Sequence, residues 1–242
     1  MAQNNLLRAG PAVSANVSQN PLRRAWNRWI QCVNGGQSQS GGASAAGPAP
    51  VQGGRDCCLV LDSSPSMDEK DWKPSRLAGA KAAALEFIDR LAKEEPGARV
   101  AVIFYSGRAY LSCPLTAVDQ TDRLKKAIDK SRRNWIGGTS ISAALMAAAQ
   151  QFCEPNRIWQ VVLLTDGHHN IGQCPKSVVG TLQSRAVIEC VGIGGNAKDV
   201  DEDLLRFLAT SYPDGRKRYR WIGQPEVLKL HFRELAGRIT RV

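Results

Sequence analysis

The chain has 242 residues, 43% of them hydrophobic, enough to bury one core and too few for two full domains. Its 32 lysines and arginines against 22 acidic residues leave a formal charge of +10, which favours acidic partners such as nucleic acid, anionic lipid or acidic protein faces. Seven cysteines without any C-x-x-C pair, and no run of about 18 apolar residues, argue against a disulfide framework, a zinc ribbon and a membrane-spanning helix.

Arg8, Gly10 and Pro11 interrupt any apolar stretch of signal-peptide length at the start, so a cytoplasmic, reducing setting is expected. Residues 1–33 read as an appendage carrying a short amphipathic helix. Leu22, Trp26, Trp29, Ile30 and Val33 fall at i, i+4, i+7, i+8 and i+11 on one face, and Pro21 suits the first turn. At this length the helix is not stable alone and orders only when its apolar stripe is covered. Trp26, Trp29 and Ile30 are therefore expected to dock, in cis, on a partner or on an anionic membrane surface. Residues 34–54 contain only Gly, Ser, Ala, Gln, Pro, Asn and one Val, a linker composition with a root-mean-square reach of about 25 Å.

From residue 55 to 242 short apolar runs alternate with amphipathic helical stretches, the pattern of βαβ units. The run 57–61 is wholly apolar, as a strand covered on both faces requires, and ends at Asp62. Residues 75–95 place Leu77, Ala80, Ala84, Ile88 and Leu91 on one helical face, closed by Pro96-Gly97. Strands are expected at 98–105 and 109–113, joined tightly at Gly107, and again at 159–164, 186–193 and 217–222. Helices are expected at 120–132, 140–153, 175–185, 200–210 and 225–240.

Three separated fragments share one chemistry: Asp62-Ser63-Ser64-Pro65-Ser66 after the first strand, Gly137-Gly138-Thr139-Ser140 before a helix, and Thr165-Asp166-Gly167 after a later strand. Each offers oxygen donors, and in open α/β sheets ligands bind beyond the carboxyl ends of the strands. At these residues the sequence resembles the von Willebrand factor type A family, with its metal-ion-dependent adhesion site. The likeness covers about residues 56–240. It implies a doubly wound, mainly parallel six-stranded sheet with one antiparallel edge strand and helices on both faces. It further implies that Ser64, Ser66 and Thr139 are hydroxyl ligands of a metal ion, with Asp62 and Asp166 binding directly or through water. Where the family usually has Gly before the second Ser, this chain has Pro65, whose φ is fixed near −65°. Mg²⁺, or Mn²⁺, suits such hard oxygens. With a largely neutral inner shell the ion would draw in an Asp or Glu of a protein partner. The resemblance implies an adaptor or assembly module rather than an enzyme, working beside an AAA+ ATPase or a kinase and phosphatase system.

Two other classes compete. His168 and His169 follow Asp166-Gly167, where His168 could contact the partner or the pair could serve a metal hydrolase, yet adjacent residues point to different sides of most backbones. The segment Arg216-Lys217-Arg218-Tyr219-Arg220-Trp221 interleaves cations with aromatics and could bind nucleic acid. Its alternation, with Tyr219 and Trp221 on one face and Arg218 and Arg220 on the other, favours a half-buried edge strand.

Overall fold

A computed structural model describes residues 27–31, 54–130 and 137–237. Strands β1 (Arg55–Asp62), β2 (Arg99–Tyr105), β3 (Ala109–Ala117), β4 (Ile158–Thr165), β5 (Ala186–Ile193) and β6 (Tyr219–Ile222) form one six-stranded sheet in the order β3-β2-β1-β4-β5-β6. Only β2 and β3 pair antiparallel; the other pairings are parallel.

Helices α1 (Arg76–Glu94), α2 (Thr121–Asp129) and α6 (Pro225–Gly237) supply Phe87, Leu124 and Phe232 to the core on one face of the sheet. Helices α3 (Ile141–Ala149), α4 (Lys176–Gln183) and α5 (Glu202–Leu208) supply Leu145, Leu182 and Leu205 to the core on the other. The alternation within β1 makes this division: Cys57, Leu59 and Leu61 face the first core and Cys58 and Val60 the second, and the whole strand is buried. A strand covered on both faces carries no polar alternation, which is why it reads as a continuous apolar run.

Several expected boundaries are corrected. The third strand continues to Ala117 because β2 bends with it through register shifts at Val100, Val102 and Ile103, so pairing outlasts the apolar stretch. The last strand begins at Tyr219 rather than 217: Lys217 and Arg218 belong to a returning loop that covers the edge of β5, with Arg218 N–H donating to the Thr210 carbonyl. The helix expected over 200–210 shortens to Glu202–Leu208, started by the Asp201 side chain, which accepts from Leu204 N–H at 3.0 Å.

Residues 27–31 form a helical turn docked in cis. Trp29 is 6% exposed, donates from Nε1 to the Phe152 carbonyl at 3.1 Å, and lies 6.4 Å from the Trp159 ring, while Ile30 packs beside it. Trp29 is thus covered by its own domain, the docking in cis that is one of the expected alternatives. The side chain is covered because Phe152 and Trp159, stacked at 5.2 Å, present an apolar platform within the same chain. Trp26 and nearly all of the linker 34–54 lie outside the described residues.

Candidate metal centre

Order in the sheet reverses between β1 and β4, so the carboxyl ends of these adjacent parallel strands flank the crevice where ligands bind in doubly wound sheets. Asp62 ends β1, and Thr165 ends β4 with Asp166 directly after it. The hydroxyl loop and the Thr139 loop are fastened to successive residues at the end of β2. Ser63 donates its N–H and its Oγ–H to the Tyr105 carbonyl at 2.7 and 2.9 Å, and Ser140 N–H donates to the Ser106 carbonyl at 2.7 Å. Three distant sequence fragments are brought together by this stitching.

Within the site, Asp62 accepts from Ser64 N–H at 2.8 Å on Oδ1 and from Thr165 Oγ1 at 2.7 Å on Oδ2. Ser66 Oγ donates to Asp166 Oδ1 at 2.8 Å and lies 3.0 Å from Ser64 Oγ. Since the Ser66 proton is committed to Asp166, Ser64 is the donor in the hydroxyl pair, giving a relay Ser64 to Ser66 to Asp166. Thr139 is buried and clamped at both backbone groups by Asn170, whose Oδ1 accepts from Thr139 N–H at 2.7 Å and whose N–H donates to the Thr139 carbonyl at 3.1 Å. Its hydroxyl makes no hydrogen bond among the described residues. Gly138, at φ +92°, lets this loop press on its neighbour: a Cβ there would lie 2.9 Å from Asn170 Oδ1 and from Ile171 Cγ2.

Pro65 opens a 3-10 turn, Pro65–Asp68, in which Met67 N–H donates to the Ser64 carbonyl at 3.0 Å. A ring-fixed φ and a missing N–H are tolerated at the first position of a helical turn, so the proline is accommodated here without a left-handed residue.

The electrostatics are those of two buried acids sharing a crevice. Burial, reinforced by the neighbouring Asp166 charge, pushes the Asp62 carboxyl up to about 7. Burial also raises Asp166, against the pull of Ser66 and Arg76. Among the described residues Asp166 has a cationic partner and Asp62 has none: Arg76 Nη1 lies 3.1 Å from Asp166 Oδ2, whereas Asp62 is held by N–H and O–H donors.

Arg76 is the residue that sequence reasoning missed. Placed in the first turn of α1 and buried, it also pairs with Asp71 at 2.8 Å and Glu69 at 2.9 Å. A helix-face count registers it only as a polar start to α1, because its partners come from the loop before the helix and from the end of β4. His169 is spent locally, its Nδ1 accepting from Ile141 N–H at 3.2 Å at the start of α3, while His168 is exposed on the same loop. Among the described residues no three His, Cys, Asp or Glu side chains gather around one point that could hold a metal ion. Any ion here would depend on hydroxyls.

Residues 57–169 match the family model for the von Willebrand factor type A domain. This chain carries a von Willebrand factor type A domain. Its type A fold is similar to that of a von Willebrand factor type A protein from Catenulispora acidiphila, with a TM-score of 0.65 and 24% identity over 76% of this chain and 42% of that one. It is similar also to proximal thread matrix protein 1 from the mussel byssus with a zinc-occupied MIDAS motif, with a TM-score of 0.62 and 23% identity over 77% of this chain and 46% of that one. In sequence the type A domain is 30% identical over 162 residues to calcium-activated chloride channel regulator 3A-1 of Mus musculus, covering 63% of this chain and 17% of the relative. It is 33% identical over 144 residues to a UPF0353 protein of Mycobacterium sp. (strain KMS), covering 56% and 41%. The chain therefore spans less than half the length of these curated relatives. No helix among the described residues is long and apolar enough to cross a membrane.

Proposed function

We propose that this type A domain is a metal-dependent protein-binding module and not an enzyme. Ser64, Ser66 and Thr139 would hold Mg²⁺ or Mn²⁺ through hydroxyl oxygens, with Asp62 and Asp166 acting directly or through water. The observation that carries this reading is the pair formed by Asp62, a fully buried carboxylate with no cation beside it among the described residues, and Thr139, a buried threonine whose hydroxyl makes no hydrogen bond among them. Burial disfavours the charge of Asp62, and a hard cation would offset that cost while taking the Thr139 hydroxyl oxygen as a ligand. A divalent ion there supplies the positive charge that takes up a carboxylate oxygen from outside.

The protein's own part is to position and to exclude. Asn170 fixes Thr139, the Tyr105 carbonyl fixes the serine loop, and Ser66 with Arg76 orients Asp166. Arg76 divides its charge among Asp166, Asp71 and Glu69; with hydroxyl oxygens making up most of its inner shell, a bound ion would still draw in an Asp or Glu side chain of a partner. His168, exposed beside Asp166, lies where it would meet such a partner. A hydrolase reading is weaker, since His169 is bonded to the start of α3 and the two serines are bonded to each other and to Asp166. A cytoplasmic setting, and assembly beside an AAA+ ATPase or a kinase and phosphatase system, belong to the same proposal.

Calorimetric titration of Mn²⁺ into the protein and into Thr139→Ala tests the metal assignment: measurable binding that the substitution weakens is expected, and equal affinity would reject it. Binding of a captured partner in Mg²⁺ and in chelator tests the mechanism, and equal binding in both would reject capture through the metal.

A further inference from the structure

Away from the metal crevice, at the β6 edge of the sheet, a cleft of about 730 Å³ is lined by Glu189, Arg206, Tyr212, Arg216, Lys217, Arg218, Tyr219, Arg220 and His231. Five of these carry a permanent positive charge, and the only acid in the lining, Glu189, is consumed by Arg218 at 2.7 Å. We propose that this cleft is a second binding site, for a small anion bearing more than one phosphate group.

The cations are organised for that class of ligand. Arg218 is 3% exposed; it donates to Glu189 through Nη1 and to the Ser211 carbonyl through Nε, while its buried Nη2 has no hydrogen-bond partner among the described residues. Its guanidinium lies 3.9 Å above the Tyr212 ring, and that of Arg206 lies 4.7 Å from the Tyr219 ring. Stacking on an aromatic face fixes the plane of a guanidinium and leaves its edge to donate, the arrangement that suits the paired oxygens of a phosphate. Arg216 bonds to Asp214 through Nε, and its exposed guanidinium lies 5.8 Å from the Tyr212 ring. Arg220 is loosely tied, its Nη1 lying 3.5 Å from His231 Nδ1 and 3.9 Å from Glu234.

A compact polyphosphate fits these observations better than a nucleic-acid backbone. A guanidinium group already stacks on each of Tyr212 and Tyr219, which leaves less aromatic surface for base stacking. Carboxylates of Glu202, Asp214 and Glu234, each paired to a lining arginine, would face a strand running past the cleft. The charge thus favours a ligand held within the cleft rather than one laid across it.

Inorganic tripolyphosphate, titrated calorimetrically in buffer containing chelator, is the probe, with a single-stranded oligonucleotide in parallel. Saturable one-to-one binding is expected, weakened on the order of ten- to a hundredfold by the double substitution Arg216→Glu and Arg220→Glu at exposed positions. The metal-site variant Asp62→Ala should bind tripolyphosphate like the unaltered chain, which separates this cleft from the crevice. Absence of saturable binding, or equal binding by the doubly substituted protein, would overturn the proposal. Oligonucleotide binding tighter than tripolyphosphate binding and lost in the same variant would overturn it in favour of a phosphodiester backbone.

Discussion

Arg76 and Asp166 meet at 3.1 Å across the metal crevice, the arginine from the first turn of α1 and the acid from the end of β4, and both side chains are buried. Removing one partner of such a pair leaves the other charge unmatched and costs about 3–5 kcal/mol. Arg76→Leu should therefore lower the melting temperature by on the order of 10 °C. Millimolar Mg²⁺ should restore more stability to that variant than it adds to the unaltered protein, because the ion takes over the charge of Asp166. Differential scanning calorimetry with and without Mg²⁺ measures both; an equal Mg²⁺ effect on the two proteins would show that Arg76 and the ion do not share Asp166.

Thr139→Ala separates binding from folding. The hydroxyl makes no hydrogen bond among the described residues and the backbone is clamped through its main-chain atoms, so stability should change by less than about 0.5 kcal/mol while Mn²⁺ affinity falls. Denaturant unfolding and calorimetry on the same sample provide the two readings.

Gly138→Ala should lower stability and metal affinity together. At φ +92° a side chain is strained, and its Cβ would meet Asn170 and Ile171 at 2.9 Å, so a loss of about 1–3 kcal/mol is expected. Since Asn170 also clamps Thr139, metal affinity should fall with it. A variant of unchanged stability would mean that the loop can reach another conformation without cost.

Trp29→Ala should destabilise the domain by about 2–4 kcal/mol, from the lost apolar burial and the bond to the Phe152 carbonyl. Metal affinity should be unaltered: Trp29 packs on Trp159 at the start of β4, and the metal crevice lies at that strand's other end. Tryptophan fluorescence should shift to the red as Trp159 gains solvent. Weakened metal binding in this variant would instead connect the two ends of the sheet.

Thiol reactivity should divide the cysteines. Burial pushes the Cys57 thiol up to about 12 and raises Cys58 and Cys190 as well, so at pH 8 these remain protonated and enclosed. Cys153 and Cys174 are exposed. Under native conditions a thiol reagent followed by peptide mapping should modify Cys153 and Cys174 in minutes, and Cys57, Cys58 and Cys190 only on unfolding.

Much of the fold and of the metal crevice was legible in the chain. The apolar run ending at Asp62, the face of Leu77, Ala80, Ala84, Ile88 and Leu91, and the strand over 186–193 follow from local periodicity, since burial on one or both faces dictates where polar residues can stand. The ligand candidates were legible because Asp62, Ser64, Ser66, Thr139 and Asp166 sit at strand ends and a helix start, positions that local pattern locates. What only the tertiary structure decided are the partners those residues meet. Arg76 reaches Asp166 across 90 positions and Trp29 reaches Phe152 across 123. The cations around Arg218 close into a cleft only because a returning loop covers the edge of β5, and Pro65 is acceptable only because the chain turns helically there. Periodicity records which face of an element is buried; it holds no information on which distant side chain lies against that face, because that contact depends on the order and packing of the strands and helices between them.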